Sequence, residues 1–264
     1  MTPEHLHYDI HEGDGPYMLL VHGFLSGGAQ WLPNLEALSQ VARPVVVELF
    51  GHGRSPSPDD PATYAPPNYV AEFERIRDAL DADRWLVCGQ SLGAALSLRY
   101  VLDRPERVIA HIFTNSRSAL AEDGWADRIR PGLEAQAKRL AEGGRDVLDE
   151  HPLNPLRNRR LSPALREAFI ANSARLDPVG VARTGLFTIP ESSVRARVGS
   201  NRVPTLLAVG EREKQFVPYR ECAETEMPML AVAEFDAGHA PNLDAAESFN
   251  DAVVGYVRAL RAQS

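Results

Sequence analysis

Short, unbroken apolar runs closed by glycine recur along the chain. Residues 17–21 run into His22-Gly23, 44–50 into Gly51, 85–88 into Gly89 and 205–209 into Gly210, while 108–113 runs into Thr114-Asn115-Ser116. Runs with no polar alternation predict strands covered on both faces, as in a parallel sheet. A weaker alternation over residues 7–11 predicts an antiparallel edge strand, and the apolar stretch 229–235 predicts the last strand. Between these runs the period lengthens. Over 69–80, Val70, Phe73, Ile76, Ala79 and Leu80 fall on one helical stripe; 92–102 is apolar almost all round; over 245–260, Phe249, Val253, Tyr256, Val257 and Leu260 line an amphipathic helix. Alternating strands and helices predict an α/β fold with a mostly parallel sheet.

The alternation fails over residues 116–202. Helical pieces at 126–141 and 162–175 are present there, but no buried strand. The expected organisation is a core made of 1–115 and 203–264. A helical cap, 116–202, is inserted before the strand at 204–209. Such a cap would lie over the carboxyl edge of the sheet, where open α/β sheets bind ligands.

Composition narrows the classes. A chain of 264 residues with 44% hydrophobic positions can bury one large core. Two cysteines and no CxxC pair exclude a disulfide framework and the usual zinc spacing, so neither a metal nor an organic cofactor is implied. The formal net charge of −8 argues against a nucleic-acid partner. The first residues carry no basic-then-apolar leader, and no apolar run approaches the ~20 residues of a membrane span. A cytoplasmic enzyme acting on a small molecule, without a membrane or nucleic-acid partner, is the expectation. The charge is also uneven. Residues 117–202 hold 14 arginines and Lys138 against 11 acidic side chains, or +4, which leaves −12 for the remainder. A basic segment over an acidic body suggests a ligand with an acidic group.

Candidate chemistry begins with Gly89-Gln90-Ser91-Leu92-Gly93, a G-x-S-x-G between a predicted strand and a predicted helix. That is the setting of a nucleophile elbow, which lifts a serine to the top of the sheet at a helix N-terminus. A serine hydroxyl needs a base. His239, on the loop between the last strand and the last helix, can reach the same edge; His5, His7, His11, His111 and His151 read as surface, core or cap residues. The base needs a carboxylate, and Glu213 follows the strand 205–209, completing the chain order Ser91, Glu213, His239. Glu211, Asp236 and Asp123 are competitors for that role. Oxyanion donors are expected from the backbone N–H groups of Leu92 and Phe24. Gln90, Trp31, Trp125 and Arg117 are candidates to face the substrate, with Arg128, Arg183 and Phe187 as further cap candidates. Cys88 reads as small apolar packing.

Taken in order, His22-Gly23-Phe24, Gly51-His52-Gly53-Arg54-Ser55, Gly89-Gln90-Ser91-Leu92-Gly93 and Gly238-His239 resemble the α/β-hydrolase fold family. The resemblance spans nearly the whole chain outside the cap and implies a catalytic triad under a helical lid. The family pattern usually carries Asp where this chain has Glu213. Within the family, the segments 22–31 and 210–216 are similar to the menaquinone-pathway SHCHC synthase, a pyruvate-eliminating lyase. That branch resembles Gly-Tyr-Ser-Leu-Gly-Gly-Arg at the elbow, whereas this chain has Gln90, Ala94 and Ala95 at the differing positions. Serine-hydrolase chemistry on a carboxylic ester or thioester of a small, anionic substrate is therefore the leading expectation, and the lyase is second. A third reading, from another class, is a non-catalytic ligand-binding protein on the same fold.

Overall fold

The computed structural model describes residues 4–158 and 161–262. Its strands are β1 (Tyr8–Ile10), β2 (Tyr17–Val21), β3 (Arg43–Val47), β4 (Trp85–Gly89), β5 (Val108–Thr114), β6 (Thr205–Gly210) and β7 (Leu230–Phe235). They form one sheet in the order β1-β3-β2-β4-β5-β6-β7. Only β1 is antiparallel, paired with β3; all other neighbours are parallel. The α/β architecture with a mostly parallel sheet is as expected from the apolar runs.

Successive side chains of a strand enter opposite layers. Leu19 and Val21 join Val87 beneath α2 (Pro66–Ala79) and α3 (Leu92–Asp103), where Phe73, Ile76, Leu96 and Tyr100 complete one core. Met18 and Leu20 join Cys88 on the other face, against α1 (Leu32–Leu38) and α9 (Ala246–Arg261), which supplies Phe249, Val253 and Val257. α7 (Val217–Glu226) covers the α3 side near β6 through Ala223. β7 departs from the central strands: it is only half-buried, because it is the free edge of the sheet.

Between β5 and β6 lie α4 (Trp125–Asp149), α5 (Pro163–Ser173), α6 (Pro178–Arg183) and several single turns, with no strand among the described residues. α4 runs eight residues past the stripe read from the sequence, bending at Gly144, whose φ of 53° breaks the helix. Arg159 and Arg160, two of the segment's arginines, lie outside the described residues. No described helix is long and apolar enough to cross a membrane.

The strand order reverses between β2 and β4: from β2 the chain steps outward to β3, and it then returns to β4 on the other side. Loops leaving the two strands diverge there and open a crevice at the carboxyl edge. The short α8 (Pro241–Asp244) closes one side of that crevice.

Candidate active site

β4 delivers the chain into the crevice and α3 takes it away, so Ser91 must turn sharply. Its φ of 53° and ψ of −112° are rare for a residue with a side chain and store on the order of 1–3 kcal/mol of strain. The turn closes only because Gly93 lacks a Cβ, which would stand 2.1 Å from the Val21 carbonyl oxygen. Leu92 is the first residue of α3, so its backbone N–H has no intrahelical acceptor and faces the crevice end of the helix dipole.

His239 stands on the loop between β7 and α8. Its Nε2 lies 2.8 Å from the Ser91 hydroxyl, and its Nδ1 lies 2.8 Å from Oε2 of Glu213. A carboxylate can only accept, so Nδ1 carries the proton and Nε2 is free to accept from Ser91. The structure thus joins Ser91, His239 and Glu213 in one hydrogen-bonded chain. Asn115, the first residue after β5, completes it from below. Its Nδ2 donates to Glu213 Oε2 at 2.9 Å and to the Gly210 carbonyl at 3.0 Å, while its Oδ1 accepts from Gly210 N–H at 2.9 Å. Burial pushes the Glu213 carboxyl up, but hydrogen bonds from His239 and Asn115 and the charge of Arg117 outweigh it. The net effect holds Glu213 below the usual carboxylate range.

The competing acids stand elsewhere. Asp236 pairs with Arg212 at the surface. Glu211 is exposed beside it, and Asp123 lines a separate hollow with Arg195 and Arg197.

Two histidines from the early motifs shape the loop after β2. His22 donates from Nδ1 to the Gly23 carbonyl (2.7 Å) and accepts the Leu49 N–H at Nε2 (3.0 Å). His52 donates to the Phe50 carbonyl (2.8 Å) and accepts the Leu25 N–H (3.2 Å). Both rings are fully buried, and burial pushes them down to about 4 and about 3, so they are neutral. Leu25, with φ 61°, has its N–H occupied by His52, and the adjacent Phe24 is one of the residues lining the cavity.

A cavity of about 360 Å³ opens beside Ser91 and His239. Phe24, Gln30, Gln90, Ala240 and Leu243 line it from the sheet side, and Pro152, Leu153, Asn154, Pro155 and Arg157 from the segment after α4. Of the substrate-facing candidates, Gln90 alone is in this lining. Trp31 is fully buried under the sheet with Met18 and Leu20, because the single turn 28–31 directs it inward. Arg117 lies outside the cavity and bonds the Gln215 side chain. Trp125 starts α4 away from the lining. Arg128 pairs with Glu122, Arg183 bonds the Pro58 carbonyl and Asp59, and Phe187 is absent from the lining. The 152–158 loop shows no hydrophobic period, so the sequence marks it only by the Pro-Leu-Asn-Pro punctuation at 152–155. Cys88 is buried and free, as expected of packing. No cluster of three or more His, Cys, Asp or Glu suited to a metal occurs among the described residues.

The model of the alpha/beta hydrolase fold family matches residues 16–246. The chain belongs to this family. Among its relatives is the pimeloyl-[acyl-carrier protein] methyl ester esterase of Xanthomonas campestris pv. campestris (strain B100), 29% identical over 262 residues, covering 97% of this chain and 100% of the relative. A Bacillus subtilis (strain 168) protein provisionally named 2-succinyl-6-hydroxy-2,4-cyclohexadiene-1-carboxylate synthase is 23% identical, covering 92% and 90%. The solved structure of MenH from S. aureus superposes with a TM-score of 0.85 at 19% identity, over 99% of this chain and 100% of that one; at that identity it shows the fold. As an α/β-hydrolase with esterase relatives, the protein is an enzyme of the hydrolase class.

Proposed function

We propose that this α/β-hydrolase is a serine esterase that cleaves a carboxylic ester or thioester of a small, anionic substrate through an acyl-enzyme on Ser91. The observation that carries this reading is the chain Ser91–His239–Glu213, with both links at 2.8 Å and Ser91 held on a strained turn. His239 Nε2 takes the hydroxyl proton as Ser91 Oγ attacks the carbonyl carbon. The developing oxyanion is met by the N–H groups of Leu92 and Phe24. Protonated His239, stabilised by Glu213, then gives its proton to the leaving alcohol or thiol. Water, deprotonated by His239, attacks the acyl carbon, and as the acyl C–Oγ bond breaks His239 returns that proton to Ser91 Oγ, releasing the acid. The anionic preference rests on Arg157, the one arginine or lysine in the cavity lining among the described residues. The acidic side chain there, Asp244, is already engaged by Gly238 N–H and Asn158. The methyl ester named for the Xanthomonas relative supports an ester with a small alcohol.

The pyruvate-eliminating lyase is the second reading, favoured by the Bacillus relative. Against it, Ala95 is fully buried in the core cluster that holds Leu98 and Phe113, so position 95 offers the cavity no anion contact. A panel of p-nitrophenyl esters assayed beside the menaquinone-pathway intermediate separates the two. Ester turnover, with fluorophosphonate labelling lost in Ser91→Ala, is the expected result. Turnover of the intermediate alone would replace the esterase by the lyase, and no labelling with no ester turnover would overturn the acyl-enzyme on Ser91.

A further inference from the structure

Gln30 lies on the turn before α1, outside every motif of the triad, yet it meets three loops of the site. Its Oε1 accepts the Gly23 N–H at 3.1 Å. Its Nε2 donates to Gln90 Oε1 at 3.1 Å. Gln90 Nε2 in turn donates to the His239 carbonyl at 3.1 Å. Both carboxamides are almost wholly buried, at 2% and 4% exposure. Their direction is fixed from both ends, since a backbone N–H can only donate and a carbonyl can only accept. Neither amide can flip without opposing like groups at one end. A Cβ at Gly23 would stand 2.3 Å from Gln90 Oε1, so glycine there leaves room for the relay. The backbone of Gln30 is anchored too, its carbonyl accepting from Asn242 Nδ2 at 3.3 Å, three residues beyond His239.

We propose that Gln30 is a positioning residue: with Gln90 it forms a polarised carboxamide relay that holds the Phe24 loop, the Ser91 elbow and the His239 loop in register. The inference rests on the esterase reading for its kinetic consequence, but not for its geometry. A buried hydrogen bond between loops serves catalysis when misplacement of reacting groups by about 1 Å costs on the order of 100-fold in rate. Stability alone would require no link running through all three loops.

The test compares Gln30→Met and Gln30→Glu with Asn201→Ala. Asn201 is a buried carboxamide bonded to Val203 O and Thr205 Oγ1, at the amino end of β6, away from the crevice. Gln30→Glu keeps the volume and the Gly23 bond but turns a carboxylate oxygen on Gln90 Oε1, so it reads the relay even where Gln30→Met does not fold. Both Gln30 variants are expected to lose roughly 10- to 100-fold in kcat on a p-nitrophenyl ester, with KM little changed. A boronic acid that becomes tetrahedral on Ser91 should bind more weakly by the same factor. The downfield imidazole N–H proton resonance of His239 should shift. Asn201→Ala is expected to lower Tm while leaving all three readouts at wild-type values. Gln30 variants that lose only Tm, as Asn201→Ala does, overturn the relay. A wild type that hydrolyses no ester counts against the esterase reading instead, and the imidazole resonance then decides the relay by itself.

Discussion

Glu213 works under two opposing pressures, burial that favours its neutral form and three donors or cations that favour its charge, and the second set wins. Glu213→Gln keeps the shape and removes the charge that, in the proposed mechanism, stabilises the imidazolium. Its kcat should fall by roughly 10⁴-fold, with Tm close to wild type, in steady-state assays on a p-nitrophenyl ester. Asn115→Ala leaves the charge but frees the carboxylate. A smaller kcat loss, roughly tenfold, should come with an upward shift of the Glu213 carboxyl, seen by carboxyl-labelled NMR titration. These two residues also show where legibility ends at this scale. Ser91, Glu213 and His239 could be read because each follows a glycine-closed or apolar strand, and strand ends gather at one edge. Asn115 follows a strand as well, but its task is a contact to a side chain 98 positions away, which no local pattern encodes. Trp31, readable equally as a cavity or a core residue, lies in the core, because one turn decides which way an aromatic beside the crevice faces.

At the scale of elements, the buried strands are legible as unbroken apolar runs and two amphipathic helices by their period of 3.6, with α3 apolar almost all round, because burial on both faces removes the polar positions. The last eight residues of α4 are not: the stripe ends at 141, yet the helix resumes beyond the bend at Gly144 and packs Leu148 into a small core with Leu140, Leu176 and Val181. The elbow makes a prediction of its own. Ser91→Gly should relax the positive φ and raise unfolding stability by about 1–2 kcal/mol, while eliminating ester turnover. Equilibrium urea unfolding checks it, and a destabilised Ser91→Gly would mean that the turn is unstrained. Gly93→Ala should lower unfolding stability, because its Cβ would collide with the Val21 carbonyl.

For the molecule as a whole, the division into an acidic body and an arginine-rich segment narrows, among the described residues, to one arginine at the cavity, Arg157. Arg157→Gln should lower kcat/KM for an ester with a terminal carboxylate by roughly tenfold and leave its neutral analogue unchanged. Equal effects on both would remove the anionic preference. The fold also carries a pH dependence. His22, His52 and His111 are fully buried, and burial pushes them from 6.5 to about 4, about 3 and about 3. Their folded values lie below the unfolded one, so the unfolded chain binds more protons as pH falls through that window. Stability is therefore intact above 6.5 and declines toward 4, by up to about 1.4 kcal/mol per pH unit for each ring. Urea midpoints across that range should fall with acidification. The central claim, an acyl-enzyme on Ser91, is tested most directly by mixing enzyme with excess p-nitrophenyl ester, quenching in acid within the first turnover, and mapping the added mass. One acyl group on the peptide containing Ser91, absent in Ser91→Ala and strongly slowed in His239→Ala, is the predicted result. Hydrolysis by the wild type with no acylated Ser91, or acylation that persists in Ser91→Ala, would contradict it.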